Sequence, residues 1–308
     1  MRYRPLDRSG SAVSCISLVL PDVSMSDKER TKLIYAALEC GVNAFEIQSA
    51  DPAVAACVGQ ALSTVERQII MVGLRLTWSR HARGPYQGAG ASGLGALIET
   101  TLHRSGLGYL DILMLGAPDS DPPTDEAIAV LDAARGRGRA RMLGVAGEGA
   151  ETLRHVEGGA FDILATRYNV HAENDTRNRI KRAAAHRMAV IGYDRYPSRQ
   201  SEPAGAVAAP GGFNLGRLLG LKPAASTSPY AFLNETPGWT AEEISLAYAL
   251  TEPTMATIQV DARSPAHMQK LAAVVDRQLP TGMSAQIEMA RFSDVNSGQT
   301  VDKRRLRA

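Results

Sequence analysis

Eight short runs of strand-forming residues alternate with eight helical patterns along this chain, and that alternation limits the possible folds more than any other feature. The strand signals cover residues 15–20, 44–48, 69–76, 110–115, 142–145, 162–168, 189–193 and 255–260. The helical patterns cover 26–40, 52–65, 93–105, 125–134, 151–156, 175–186, 240–250 and 265–277. In the first of these Ser26 is placed to cap the opening turn, and Leu33, Ile34, Ala37 and Leu38 share one face. Eight strands, each followed by a helix, predict an α/β fold of the (β/α)8 TIM-barrel type. Residues 2–6 and 12–14, with Gly10 at the turn, predict an N-terminal β-hairpin ahead of the barrel.

Two segments interrupt the rhythm. Residues 77–92, after the third barrel strand, are rich in Gly and Arg, and residues 197–237, after the seventh, are rich in Ala, Gly, Pro and Ser. Both predict long loops over the C-terminal face, where a barrel builds its sites. A single domain over residues 1–295 is expected, followed by a mobile C-terminal tail at 296–308 that lacks apolar periodicity.

Charge and composition exclude some partners. The 34 basic and 32 acidic residues are interspersed, so no extended single-sign field exists to hold nucleic acid or an anionic membrane. No stretch reaches the roughly 18 apolar residues of a membrane span, and the first residues lack the apolar core of a signal peptide. No membrane insertion and a cytoplasmic location are expected. Cys15, Cys40 and Cys57 are odd in number and without CxxC spacing, which predicts reduced thiols packed in the core, with no disulfide and no metal site.

Several spaced motifs resemble one family. The opening RYRPLDRSG and AVSCISLVLP, then GVNAFEIQSAD, LGYLDILMLGAP, FDILATRYNV, AVIGYDRYP and ARSPAHM, follow one another in the order found in aldo-keto reductases. The likeness runs from Met1 to about Asp294. It implies the barrel, and it assigns the family's Asp, Tyr, Lys and His to Glu46, Asp51, Arg75 and Gly116. In the family the Tyr protonates the substrate carbonyl as hydride arrives, assisted by a Lys paired to the Asp, while the His orients the carbonyl. Here an aspartate has no proton to donate near neutral pH, Arg75 stays charged, and Gly116 offers no side chain. No catalytic residue is therefore expected at these four positions. Glu46 and Arg75 are explained by an ion pair in which neither charge is buried alone. The alternative is a remodelled acidic site of Glu46, Asp51 and His81 doing non-redox acid/base chemistry or holding a metal.

For a cofactor the resemblance implies a mixed site. Tyr193 stands where a ring stacks on nicotinamide, with Asp194 and Arg195 beside it; Arg263, Ser264 and His267 stand where the adenosine ribose or its phosphate is cradled. Gly211, Gly212 and Gly216 of the seventh loop are assigned to the pyrophosphate. The carboxamide ligands are replaced by Ala146, Gly147 and Ala165. Asp261 would repel a 2′-phosphate, which favours NAD(H) over NADP(H). Gly88, Gly90 and Gly93 spell GxGxxG, but a long loop separates them from the preceding strand, so they form no Rossmann turn.

The resemblance thus predicts a pseudoenzyme that binds NAD(H) without reducing carbonyls and regulates protein partners, as do bacterial cell-division regulators on this fold. The alternatives are an atypical NAD(P)-dependent oxidoreductase, a lyase or isomerase using Glu46 and Asp51, or a structural subunit.

Overall fold

The computed structural model describes residues 1–6, 11–20, 25–48, 51–78, 90–116, 122–196 and 230–293. Within them lie the expected hairpin, β1 (Tyr3–Pro5) and β2 (Ala12–Ser14), and eight further strands. These are β3 (Ile16–Leu20), β4 (Ala44–Ile47), β5 (Met71–Thr77), β6 (Leu110–Gly116), β7 (Ala140–Ala146), β8 (Ile163–Arg167), β9 (Ala189–Tyr193) and β10 (Met255–Val260). All eight pair in parallel and close on themselves in the order β10-β3-β4-β5-β6-β7-β8-β9. The helices that return the chain are α1 (Asp27–Glu39), α2 (Pro52–Leu62), α3 (Ala91–Ser105) and α4 (Asp125–Gly136). They continue with α5 (Ala150–Gly158), α6 (Asn174–Ala185), α7 (Ala241–Ala249) and α8 (Pro265–Val274). The (β/α)8 barrel is as the alternation required.

Local chemistry sets the helix starts. Ser26 and Glu29 form a reciprocal capping box on α1, and Thr240 with Glu243 does the same on α7. Strand side chains alternate between two apolar layers. Met71, Ile112, Met114, Met142, Ala146, Ile163, Ala165 and Ile191 fill the barrel interior. Leu74, Leu113, Leu115, Leu143, Val145, Leu164 and Ile258 face the helices. The hairpin adds Leu6 and Val13 to the interior layer, and Arg4 of β1 donates to the carbonyls of Leu250 at 2.7 Å and of Met255, the first residue of β10, at 2.6 Å. It closes the N-terminal end of the barrel. Cys15 and Cys57 are buried, Cys40 is half-buried, and all three are free thiols.

Some boundaries differ from expectation. Strand character was expected from Ile69, but Arg67–Ile69 turn as a 3-10 helix, because Arg67 reaches the carbonyls of Ile70 and Tyr109 and the Asp111 carboxylate. Within the expected seventh loop, Ala231–Asn234 form a 3-10 turn that buries Leu233. A further helix, α9, occupies residues 283–293 and went unread in the sequence. Its Met283, Ile287 and Ala290 are buried at helical spacing, and Glu288 binds the Tyr248 hydroxyl at 2.7 Å. Gly10, His81, Gly88, Gly211, Gly212, Gly216 and the tail at 296–308 lie outside the described residues. No helix among the described residues is long and apolar enough to cross a membrane.

Helices α2 and α3 pack backbone to backbone at Gly59, where a Cβ would lie 1.9 Å from the Ser105 carbonyl oxygen. Gly59→Ala should lower stability by about 2 kcal/mol or more, since the obstacle is main chain and the modest helix-propensity gain cannot offset it. Urea unfolding of the two proteins measures the difference.

Candidate functional site at the barrel mouth

Charged residues at inward-pointing strand positions are costly, and two of them, Glu46 and Arg75, meet close to the C-terminal face of this barrel. Glu46 on β4 is 5% exposed. Its Oε1 lies 3.0 Å from Arg75 Nε and accepts from Gln48 Nε2 at 2.9 Å, while its Oε2 accepts from Gln259 Nε2 at 2.6 Å and from Arg75 Nη2 at 3.3 Å. Arg75 on β5 also donates to Gln259 Oε1 at 2.8 Å. The three side chains close a triangle of hydrogen bonds, and each Glu46 oxygen accepts at least one. A carboxylate that accepts three hydrogen bonds and lies against a guanidinium is a weak base towards a substrate.

The guanidinium of Arg75 spans the barrel. Strands β5 and β9 have three strands between them in either direction and so face each other across the axis. The Arg75 Cζ nevertheless lies 4.9 Å from the centre of the Tyr193 ring, at the end of β9. Tyr193 packs on the interior apolar layer and donates its hydroxyl proton to Glu148 Oε1 at 3.0 Å. Burial, assisted by the Glu148 carboxylate, pushes the Tyr193 hydroxyl well above its ordinary value. Arg167 on β8 joins Glu148 at 3.3 Å to Asp194 at 2.9 Å. Burial raises the Asp194 carboxyl, and Arg167 acts against that rise. Asp194 adopts φ +50°, a left-handed conformation held in place by Asn169, which donates to its carbonyl at 2.9 Å.

The other acidic position behaves differently. Asp51 caps α2 by accepting the Ala53 N–H at 2.8 Å, and the carboxylate that meets Arg75 is Glu46. Gly116 ends β6 opposite Thr77, with space for a Cβ. Ala146 is buried, and the Gly147 N–H is spent on the Ala165 carbonyl at 3.1 Å. Among the described residues no group of three or more His, Cys, Asp or Glu side chains is placed to hold a metal ion.

A second network borders the first through the Asp194–Arg195 bond. Arg195 is 1% exposed, and its Nη2 pairs with Glu242 at 3.0 Å and Asp261 at 3.2 Å. Its Nε and Nη1 have no hydrogen-bond partner among the described residues. Glu242 also meets His267 Nε2 at 3.1 Å, and the His267 Nδ1 accepts the Arg263 N–H at 3.2 Å. Ser264 caps α8 by accepting the His267 N–H. Burial works to raise the Glu242 carboxyl, but Arg195 and His267 outweigh it and hold the group below its ordinary range.

The structure therefore gathers Glu46, Arg75 and Tyr193 into one cluster and Arg195, Ser264 and His267, with the Arg263 backbone, into another. Sequence reasoning overlooked Glu148, Arg167 and Glu242. Arg167 was the most legible of the three, since it shares the inward alternation of Ile163 and Ala165.

The closed parallel sheet with its returning helices is a (β/α)8 barrel, and the polar cluster lies at the C-terminal face where barrels of this class build their sites. Residues 19–196 match the aldo/keto reductase family, and the chain belongs to that family. The aldo-keto reductase AKR11C1 from Bacillus halodurans, in its holo form, superposes with a TM-score of 0.73 at 18% identity, covering 94% of this chain and 96% of that one. An NADH-specific methylglyoxal reductase of Escherichia coli (strain K12) is 27% identical over 127 residues, 37% of this chain. That similarity spans only 39% of the reductase's own length.

Two outcomes follow for the site. Arg75→Ala leaves the Glu46 charge buried without its partner and should cost about 3–5 kcal/mol, most of it regained in the neutral pair Glu46→Gln with Arg75→Met. Chemical denaturation of both variants checks this. Because the Glu242 carboxyl is held low in the fold, the stability it supplies is present above its unfolded value of 4.5 and is lost as pH falls through the folded value. Glu242→Gln should lower the melting temperature at neutral pH, and the difference from the parent should shrink as the pH is taken progressively below 4.5.

Proposed function

We propose that this chain is an aldo/keto reductase family protein that has given up carbonyl reduction, binds NAD(H) in preference to NADP(H), and acts on a protein partner as a regulator. The observation that carries this reading is the Glu46–Arg75–Gln259 triangle, which occupies the barrel mouth with side chains bonded to one another. A reductase needs a proton donor there, and the tetrad the family resemblance assigns to Glu46, Asp51, Arg75 and Gly116 supplies none. Asp51 is already engaged as the cap of α2.

Dinucleotide binding is supported at the neighbouring network. A buried guanidinium with unpartnered N–H groups suits a phosphate, as does the start of α8 with Ser264 and Arg263. Asp261, held against Arg195, opposes a further phosphate on the ribose and so favours NAD(H). The E. coli relative named as NADH-specific points the same way. Cell-division regulators of the KidO type, an eroded centre on this fold, are the functional precedent for the proposed partner binding.

Purified protein mixed with NADH and methylglyoxal should oxidise NADH no faster than the protein-free blank, while calorimetry detects NADH binding that Arg195→Ala abolishes or weakens at least about tenfold. Steady turnover that disappears in Asp51→Ala would make Asp51 the acid of an atypical oxidoreductase and end the pseudoenzyme reading.

A further inference from the structure

The mouth does not fit a stacked nicotinamide. The Tyr193 ring packs on the interior layer, and the guanidinium that faces it arrives from the opposite side of the barrel axis. The space over the ring is taken by Arg75, which two partners hold there at 3.0 Å and 2.8 Å. The Tyr193 hydroxyl is committed to Glu148. Around the ring, Ala146 and Ala165 present no amide, and the Gly147 N–H is already bonded within the sheet.

Relative magnitudes decide whether a ligand ring could displace Arg75. Pulling Arg75 away from the buried Glu46 carboxylate and from Gln259 shifts an equilibrium by on the order of a hundredfold, whereas stacking one aromatic ring returns about tenfold at most. The side chain wins that competition. Arg195, in contrast, is buried with two donor groups unused, and it stands beside the capped start of α8. Two donor nitrogens are open at the Arg195 end of the site, whereas at the mouth Arg75 is held over the ring by Glu46 and Gln259.

We propose that the ligand is recognised by its adenosine diphosphate ribose portion, with Arg75 acting as a fixed plug that keeps the nicotinamide ring off Tyr193. NAD+, NADH and ADP-ribose then bind alike, and the protein responds to the amount of such ligand and not to its redox state. The inference rests on the reading of this site as a dinucleotide site.

The test is calorimetric titration of the full chain with ADP-ribose, NAD+ and NADH. Affinities within about threefold of one another are expected, because no contact reads the ring. In the paired variant Arg75→Met with Glu46→Gln, which exposes the ring without stranding a buried charge, NAD+ and NADH should gain about fivefold over ADP-ribose. Should that variant fail to fold, Tyr193→Leu gives the second measurement: it should move all three affinities in step. A parent protein that binds NAD+ or NADH more than about tenfold tighter than ADP-ribose overturns the plug and leaves dinucleotide binding standing. Selective loss of NADH binding in Tyr193→Leu does the same. Absence of binding by all three ligands removes both the plug and the dinucleotide reading.

Discussion

A guanidinium that reaches the axis of a barrel has to be met by opposite charge and by acceptors, and Glu46 and Gln259 meet Arg75 in this way. Glu46 supplies the opposite charge, Gln259 supplies a carbonyl oxygen to Arg75 and an amide to Glu46, and the Tyr193 ring supplies a polarisable face. Four strands contribute one side chain each. The planar fork of arginine matters here, since two of its nitrogens meet the Glu46 carboxylate together, a geometry the single ammonium of lysine cannot reproduce. Any change at the mouth has to be compatible with this network, because removing one member leaves another polar group buried and unpaired.

The outer cluster follows the same logic with less closure. Arg167 ties Glu148 to Asp194, Arg195 ties Glu242 to Asp261, and Glu242 reaches on to His267. Charges of both signs alternate around the rim, but Arg195 keeps donor groups unused inside the protein. Buried polar groups are ordinarily satisfied, so an exception beside the start of a helix is where an anionic ligand gains most. The fold thus joins a mouth made rigid by its own side chains to an adjoining patch that retains binding capacity.

Asp51 illustrates why a residue's position in a motif does not decide its role. Lying immediately ahead of Pro52, it is the natural cap for α2, and the Ala53 N–H takes up its carboxylate. The acid that faces Arg75 is Glu46, five residues earlier on β4, because strand alternation turns Glu46 inward.

The sequence by itself determined the barrel. Strand-like runs and amphipathic helices are local patterns, and each of the eight strands and the eight helices paired with them emerged close to where its own residues placed it. A local pattern also marked the cap at Ser26. What escaped was either short of contrast, as in α9, whose apolar face is only Met283, Ile287 and Ala290, or dependent on distant partners, as in the turn at Arg67. The site belongs to the second kind. Residues 46, 75, 193 and 259 meet only because closure of the sheet brings four strand ends to one axis, and no spacing along the chain encodes that a guanidinium from β5 will cover a ring on β9. Which residues form strands is a matter of neighbours in sequence; which side chains neutralise one another is decided by the closed sheet.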